Sequence, residues 1–333
     1  MVKLDIKDQK ILYELSTNCR LTTSRIAKMV GVSQQVADYR VNRLVRLGVI
    51  TAFVTEIDIE KLGFIRHVMY LQLKNVDELK EREIISYFVR HPFLTWVVTS
   101  TGKWSIIMDV ISRNLVHLNA IVDELKEKYG EFFGEYKIAS EIDYRYFHSK
   151  YYGFKERTGK SQTNHVYEMD KTDMKLLELL SDNARSDYVT LSNLLQLTAN
   201  TIKNRLNKLV SAGIIKSFFA APNKTLLCLE QYNIQFVFEH QSKVQEKKLI
   251  DYLIYHPNVH FYYKPVGHWD LEVGVFVENP GKLRKIILDF RNRFPEIKIY
   301  DTVLFYEEHK SNVVPAGVFQ VLTNNRLSSF RSN

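Results

Sequence analysis

The sequence predicts an α+β chain that builds one unit twice, each unit a short helical head followed by a longer βαββαβ body. Two observations carry this. Asp5, Asp8, Leu12, Leu15, Ser16, Asn18 and Arg20 return as Asp170, Asp173, Leu177, Leu180, Ser181, Asn183 and Arg185, always 165 positions on. The register holds without a gap through Asn42/Asn207, Gly48/Gly213, His91-Pro92/His256-Pro257, Gly102/Gly267 and Trp104/Trp269. The second observation is the matching order of helical and strand-like segments inside the two copies. A duplicated unit in one chain is a fused pseudo-dimer, with two sites held at a fixed spacing.

Each head begins with an acidic pair. Asp5 and Asp8 form the pattern of a capping box, and Ile11, Leu12 and Leu15 then fall on one helix face. Thr22 caps a second helix carrying Ile26, Ala27, Met29 and Val30 inward, which stops at Gly31. Ser33 caps a third, with Val36, Val41, Leu44 and Val45 inward, which stops at Gly48. The short turn between the second and third helices forces a steep crossing, the geometry of a helix-turn-helix, and the β-rich stretch from Val49 to Ile57 suits a wing.

The body of the first copy reads as strands near Arg66 to Lys74, Thr95 to Thr101, Trp104 to Ile111 and Tyr136 to Phe147. Helices are expected over Glu78 to Arg90 and Leu115 to Tyr129. The second copy repeats the order, with strands near Tyr232 to Glu239, Val259 to Val266, Trp269 to Val277 and Ile297 to Tyr306, and helices near Val244 to Tyr255 and Gly281 to Arg293. A βαββαβ order is that of a ferredoxin-like sandwich. The offset drops from 165 at Asn114/Asn279 to 161 at Lys137/Lys298, so the second copy has lost four residues around its second body helix. The expected divisions are a first winged helix-turn-helix at 1–57, a first sandwich at 58–147, a polar, basic linker at 148–168, a second winged helix-turn-helix at 169–222, a second sandwich at 223–310 and a tail at 311–333, mobile at its end.

Hydrophobic residues make up 45% and charged residues 25%, and no apolar run reaches the length of a membrane span or a signal peptide, which leads to the expectation of a cytoplasmic protein. Cys19 and Cys228 do not correspond under the offset and supply neither a disulfide framework nor a metal spacing, so both read as small core residues. No phosphate-binding glycine loop, GxSxG elbow or HExxH motif is present. No cofactor, metal site or catalytic residue is expected. His91 and His256, each before proline, read as helix stops.

The run GVSQQVADYRVNRLVRLGVI at residues 31–50, followed by a βαββαβ body with a glycine-centred hairpin at Gly102, resembles the Lrp/AsnC family of feast/famine transcription regulators. QLTANTIKNRLNKLVSAGII at 196–215 with VGHWDLEVGV at 266–275 resembles it equally in plan. The resemblance covers both units and implies double-stranded DNA as partner, pairing through the sandwich domains, and an amino-acid effector at interfaces between them. The usual member has one copy and dimerises; here the pseudo-dimer would lie within one chain, with further homo-oligomerisation left open.

The residue chemistry supports DNA binding beside that resemblance. Residues 1–52 hold nine Lys/Arg against four Asp/Glu, a balance of +5, whereas residues 166–220 hold seven against six, a balance of +1. On the third helix Ser33, Gln34, Gln35, Asp38, Tyr39 and Asn42 are placed to reach bases, and Arg25, Lys28, Arg40 and Arg43 to reach phosphates. The second head offers Thr198, Asn200, Lys203, Asn204, Arg205, Asn207 and Lys208, but Thr190 and Asn193 replace Arg25 and Lys28. It reads a different half-site or serves only as structure. Lys150, Lys155, Arg157 and Lys160 give the linker its charge and a means of touching DNA. Gln196 stands where the first copy has Gly31, so that turn is expected to differ in detail.

From the family resemblance, the turns at Gly102 and Gly267 border an effector site, where His268 adjoins Asp270 and the Asp270 carboxylate could receive an α-ammonium group. A tight turn with a packed tryptophan explains the same residues without a ligand. Sirohaem decarboxylases share the winged-helix plus sandwich plan and form the rival reading, in which His, Tyr and Arg line a tetrapyrrole pocket. The basic, amide-bearing first recognition helix argues for the regulator. A sensor that acts through protein partners is the third alternative.

Overall fold

The computed structural model describes residues 3–152 and 167–328, as two repeats of one element order. The first repeat comprises α1 (Ile6–Thr17), α2 (Thr23–Val30), α3 (Gln34–Arg46), β1 (Ile50–Ile57), β2 (Ile65–Leu73), α4 (Glu78–Arg90), β3 (Leu94–Ser100), β4 (Ile106–Ser112), α5 (Leu115–Tyr129) and β5 (Phe133–Tyr146). The second comprises α6 (Lys171–Asp182), α7 (Tyr188–Leu195), α8 (Ala199–Ser211), β6 (Ile215–Pro222), β7 (Glu230–Phe238), α9 (Lys243–Tyr255), β8 (Val259–Val266), β9 (Leu271–Val277), α10 (Pro280–Arg293) and β10 (Ile297–Ser311). A final helix, α11 (Ala316–Ser328), has no counterpart in the first repeat. The four lost residues fall where a 3-10 turn, Gly130–Phe132, follows α5.

Local chemistry sets the helix ends. Asp5 with Asp8, and Asp170 with Asp173, form reciprocal capping boxes at the starts of α1 and α6. Gly31 ends α2 in the left-handed region at φ 71°, and Gln196 ends α7 in the same region at φ 54°. The two turns are therefore alike, and Gln196 bears the steric cost that glycine avoids. His91 and His256 end α4 and α9 in extended conformation. In each case ring Nδ1 accepts the backbone N–H two residues on, at 3.2 Å, as a structural stop would.

The heads do not fold as separate bodies. Wing strands β1 and β6 pair antiparallel as a two-stranded ribbon, and a single apolar core holds Ile11, Leu15, Ile26 and Leu44 of one head with Leu176, Leu180, Ile202 and Leu209 of the other. The pseudo-twofold shows in matched contacts: Arg20 lies over Phe218 and Arg185 over Phe53, at 5.6 and 5.1 Å. Each body keeps the ferredoxin-like strand order, but β5 pairs with β8 and β10 with β3, joining both sheets into one closed eight-stranded barrel. Closure removes the exposed strand edges that two separate sheets would present. Helices α4 and α5 pack on one side of the barrel and α9 and α10 on the other, while Tyr70, Trp104, Phe261, Tyr263 and Trp269 fill its interior.

Several expectations need correction. The buried stripe of α3 is Ala37, Val41 and Leu44; Val36 and Val45 are exposed, as is Met29 on α2. Burial raises the Cys19 thiol to about 12, whereas Cys228 is exposed in a turn at φ 55° and is no core residue. The stretch read as a tail contains α11, and Val314, Val318 and Phe319 are buried in the head core, while the end expected to be mobile, 329–333, lies outside the described residues. The linker begins as a 3-10 turn, His148–Tyr152, with Lys150 buried and donating to the Leu253 and His256 carbonyls, so Lys150 does not face DNA. Lys155, Arg157 and Lys160 lie outside the described residues.

Candidate nucleic-acid interface

The face of α3 that turns away from the core presents Gln34, Gln35, Asp38, Tyr39 and Asn42 to solvent. Asn42 donates its amide to the Asp38 carboxylate at 3.1 Å, one helical turn away, and Tyr39 is 60% exposed. A shallow open depression bounded by Thr23, Ser33, Gln34, Gln35 and Asp38 marks the start of the helix. Ser33 and Thr198 spend their hydroxyl oxygens as N-caps, accepting from the Val36 and Thr201 amides at 3.3 and 3.1 Å. In the second head Asn200, Lys203, Asn204, Asn207 and Lys208 form the corresponding exposed face of α8.

The arginines of the recognition helices are placed differently from the sequence expectation. Arg40 donates to both Asp5 oxygens at 2.9 and 2.8 Å and to Asp8 at 2.8 Å, while Arg43 donates to Asp8 at 3.2 Å. Arg205 repeats the arrangement with Asp170 and Asp173 at 2.7 and 2.9 Å. Asp8 and Asp173 are almost fully buried, so their charge needs these partners. The Asp8 amide and the Arg40 guanidinium together hold the Asp5 carboxyl below its ordinary value. Arg40, Arg43 and Arg205 thus fasten α3 and α8 to the caps of α1 and α6.

Arg25 and Lys28 on α2 are exposed, and among the described residues no acidic partner lies against either. The second head has Thr190 and Asn193 at those positions. Lys7, which the sequence reading used only in its charge balance, donates to the Val30 and Gly31 carbonyls at 2.8 and 3.2 Å and caps the C-terminus of α2.

The four residues expected to border an effector site lie in the β3–β4 turn (Gly102) and the β8–β9 turn (Gly267, His268, Asp270). Gly102 turns at φ 85° with open space around it. Gly267 lies against β5, where a Cβ would meet the Ala139 backbone at 3.1 Å. Lys137 donates to His268 across the seam between the copies, and Asp270 accepts the Phe238 amide at 2.8 Å. None of the four lines the cavity walled by both repeats. That cavity, of about 340 Å³, lies between the β1–β6 ribbon and the barrel mouth. Its walls include Arg66, Trp96, Glu141, Tyr144, Asn233 and Glu272. Burial pushes the Glu141 carboxyl up to about 7, against the pull of Arg66. The sequence carried a signal for this site: one carboxylate, Glu272, in the apolar strand Leu271–Val277, and alternate polar residues Gln231, Asn233 and Gln235 on β7.

The sequence profile of winged helix-turn-helix DNA-binding domains matches residues 4–51 and 169–216, two segments 165 positions apart. A helix-turn-helix-type transcriptional regulator of Pyrococcus horikoshii is 30% identical over 122 residues, which cover 36% of this chain and 81% of that protein. The transcriptional regulator LysM of Saccharolobus solfataricus is 29% identical over 127 residues, covering 38% and 87%. Among solved structures, the siroheme decarboxylase NirDL in complex with an iron-uroporphyrin III analogue superposes over 97% of this chain and 99% of its own, with a TM-score of 0.65 and 11% identity, a likeness of fold. Among the described residues no group of His, Cys, Asp and Glu side chains is arranged to hold a metal, and no helix is long and apolar enough to cross a membrane. With two matched DNA-binding heads on one fused barrel, the chain belongs to the winged helix-turn-helix transcriptional regulators, in a tandem-duplicated form.

Proposed function

We propose that this DNA-binding regulator reads an asymmetric site from a single chain, with the first head as the main contact. The observation that carries the reading is the unequal dressing of two heads locked in one core. The first presents Arg25 and Lys28 beside Gln34, Gln35 and Tyr39; the second presents Thr190 and Asn193 beside Asn200, Lys203 and Asn204. Exposed cations without acidic partners suit phosphates, and exposed amides on a recognition helix suit base edges. The shared ribbon and core hold the helices at a constant separation, which favours major grooves one helical turn, or a multiple of it, apart.

The decarboxylase alternative asks for a cavity that accepts a macrocycle bearing many carboxylates. The lining here carries eight carboxylates against two lysines and one arginine, so it would repel such a substrate. That composition supports a regulator without tetrapyrrole chemistry. The test is selection of bound DNA from a random pool with the purified chain, followed by an absorbance spectrum. An asymmetric enriched site and no Soret-type band support the reading; no enrichment together with such a band would sink it.

A further inference from the structure

None of the residues assigned to DNA contact lines the cavity between the wing ribbon and the barrel mouth. Glu272, 1% exposed, sits in its floor and accepts from Tyr70 and Gln235 at 2.6 Å, from Tyr263 at 3.1 Å and from Asn233. All four donors are neutral, and among the described residues no cationic side chain lies within 4.0 Å of this carboxylate. Asn233 is 2% exposed and lines the cavity. Its amide nitrogen is committed to Glu272, which leaves Oδ1 as a buried acceptor with no donor. A buried acceptor of this kind costs roughly 1–3 kcal/mol until a donor arrives. The remaining charge is also unbalanced. Arg66 is flanked by both Asp109 and Glu141, at 2.9 and 3.7 Å, while Lys216 and Lys224 are met by Asp58 and Glu308.

We propose that this cavity binds a small organic cation, a primary ammonium on an apolar body, with the ammonium donating to Asn233 Oδ1 beside Glu272. Phe261 and Tyr263 supply aromatic walls for the body and the cation. The volume of about 340 Å³ is at the lower end for ligand sites and suits a molecule of one ring or a short chain. An anionic ligand of the same shape would meet the carboxylate excess. Because the roof strands belong to the heads and the floor strands to the barrel, an occupant touches both.

The test uses the full chain and isothermal calorimetry with two probes of matched shape, 2-phenylethylamine and 3-phenylpropanoate, and it needs no DNA. The amine is expected to bind once per chain and the carboxylate not at all. Glu272→Gln and Glu141→Gln should each weaken the amine at least tenfold; Glu141 lies outside the Tyr70–Tyr263–Glu272 cluster, so it decides the matter should the first variant fail to fold. Failure of the amine to bind, equal binding of the carboxylate, or amine affinity within twofold of the parent in the folded variants would overturn the proposal. Loss of DNA binding has no bearing on these readouts.

Discussion

Arg40 on the recognition helix grips Asp8, a buried carboxylate on the first helix, at 2.8 Å, and 165 residues later Arg205 grips Asp173 at 2.9 Å. The same bond therefore sets the angle between first and third helices in both heads. Arg40→Ala leaves Asp8 with the Asp5 backbone amide at 3.3 Å and, as its one remaining cation among the described residues, the more distant Arg43 at 3.2 Å. We expect a loss of about 1–3 kcal/mol, read as a lower urea midpoint, with the parallel loss in Arg205→Ala. An unchanged midpoint in both variants would contradict the structural role.

Phosphate contact is expected instead from Arg25 and Lys28. Replacing both with Ala should leave the melting temperature within a degree or two and weaken binding to every sequence. The slope of log affinity against log salt should fall by about two, since each lost contact releases about one counterion fewer. Installing Arg and Lys at Thr190 and Asn193 should steepen it. Filter binding across a salt series measures both, and a slope unmoved by the double alanine variant would reassign the contacts.

Gln196 holds a left-handed turn that Gly31 holds in the first head. Gln196→Gly should stabilise the chain by about 1 kcal/mol, because glycine adopts this backbone without steric penalty. Gly31→Ala should cost a similar amount, and its Cβ finds room, with Lys7 Nζ at 3.6 Å. Paired denaturant curves would expose an error if the two changes moved stability in the same direction.

Glu56 on the wing is pulled down to about 2: burial opposes ionisation, but His148 at 3.4 Å, Ser217 at 2.6 Å and nearby Lys216 outweigh it. A depressed carboxylate stabilises the fold above its unfolded value near 4.5 and loses that contribution as pH falls towards 2. Glu56→Gln should therefore be less stable than the parent at pH 6, by roughly 2–3 kcal/mol. The gap should close between pH 4.5 and 2. Melting curves at a series of pH values follow it, and a gap that widens on acidification would reverse the assignment. His148 also stacks on Phe219 at 3.6 Å, so the variant tests the joint between head ribbon and linker.

Much of what depends on near neighbours was legible in the sequence, with α11 and the likeness of the Gln196 and Gly31 turns as exceptions. Periodicity and caps placed α4 and α5 to the residue, the Asp5 and Asp170 boxes lie where the acidic spacing required them, and the 165-residue offset disclosed the duplication. These features follow from hydrogen bonds spanning three or four positions, which a linear reading can see. It went astray where several faces of one short helix were apolar, as at Val36 and Val45, because which apolar residue is covered depends on the neighbouring helix. What joins distant segments was decided only by tertiary structure. The closure of two sheets through β5–β8 and β10–β3, the capture of Arg40 by Asp8, and the meeting of Glu272 with Tyr70 all link residues 32 or more positions apart. Charge alone marked Arg40 as a phosphate ligand, and packing assigned it to an internal ion pair; Glu272, a lone carboxylate in an apolar strand that the sequence reading passed over, became the floor of a cavity only through tertiary structure.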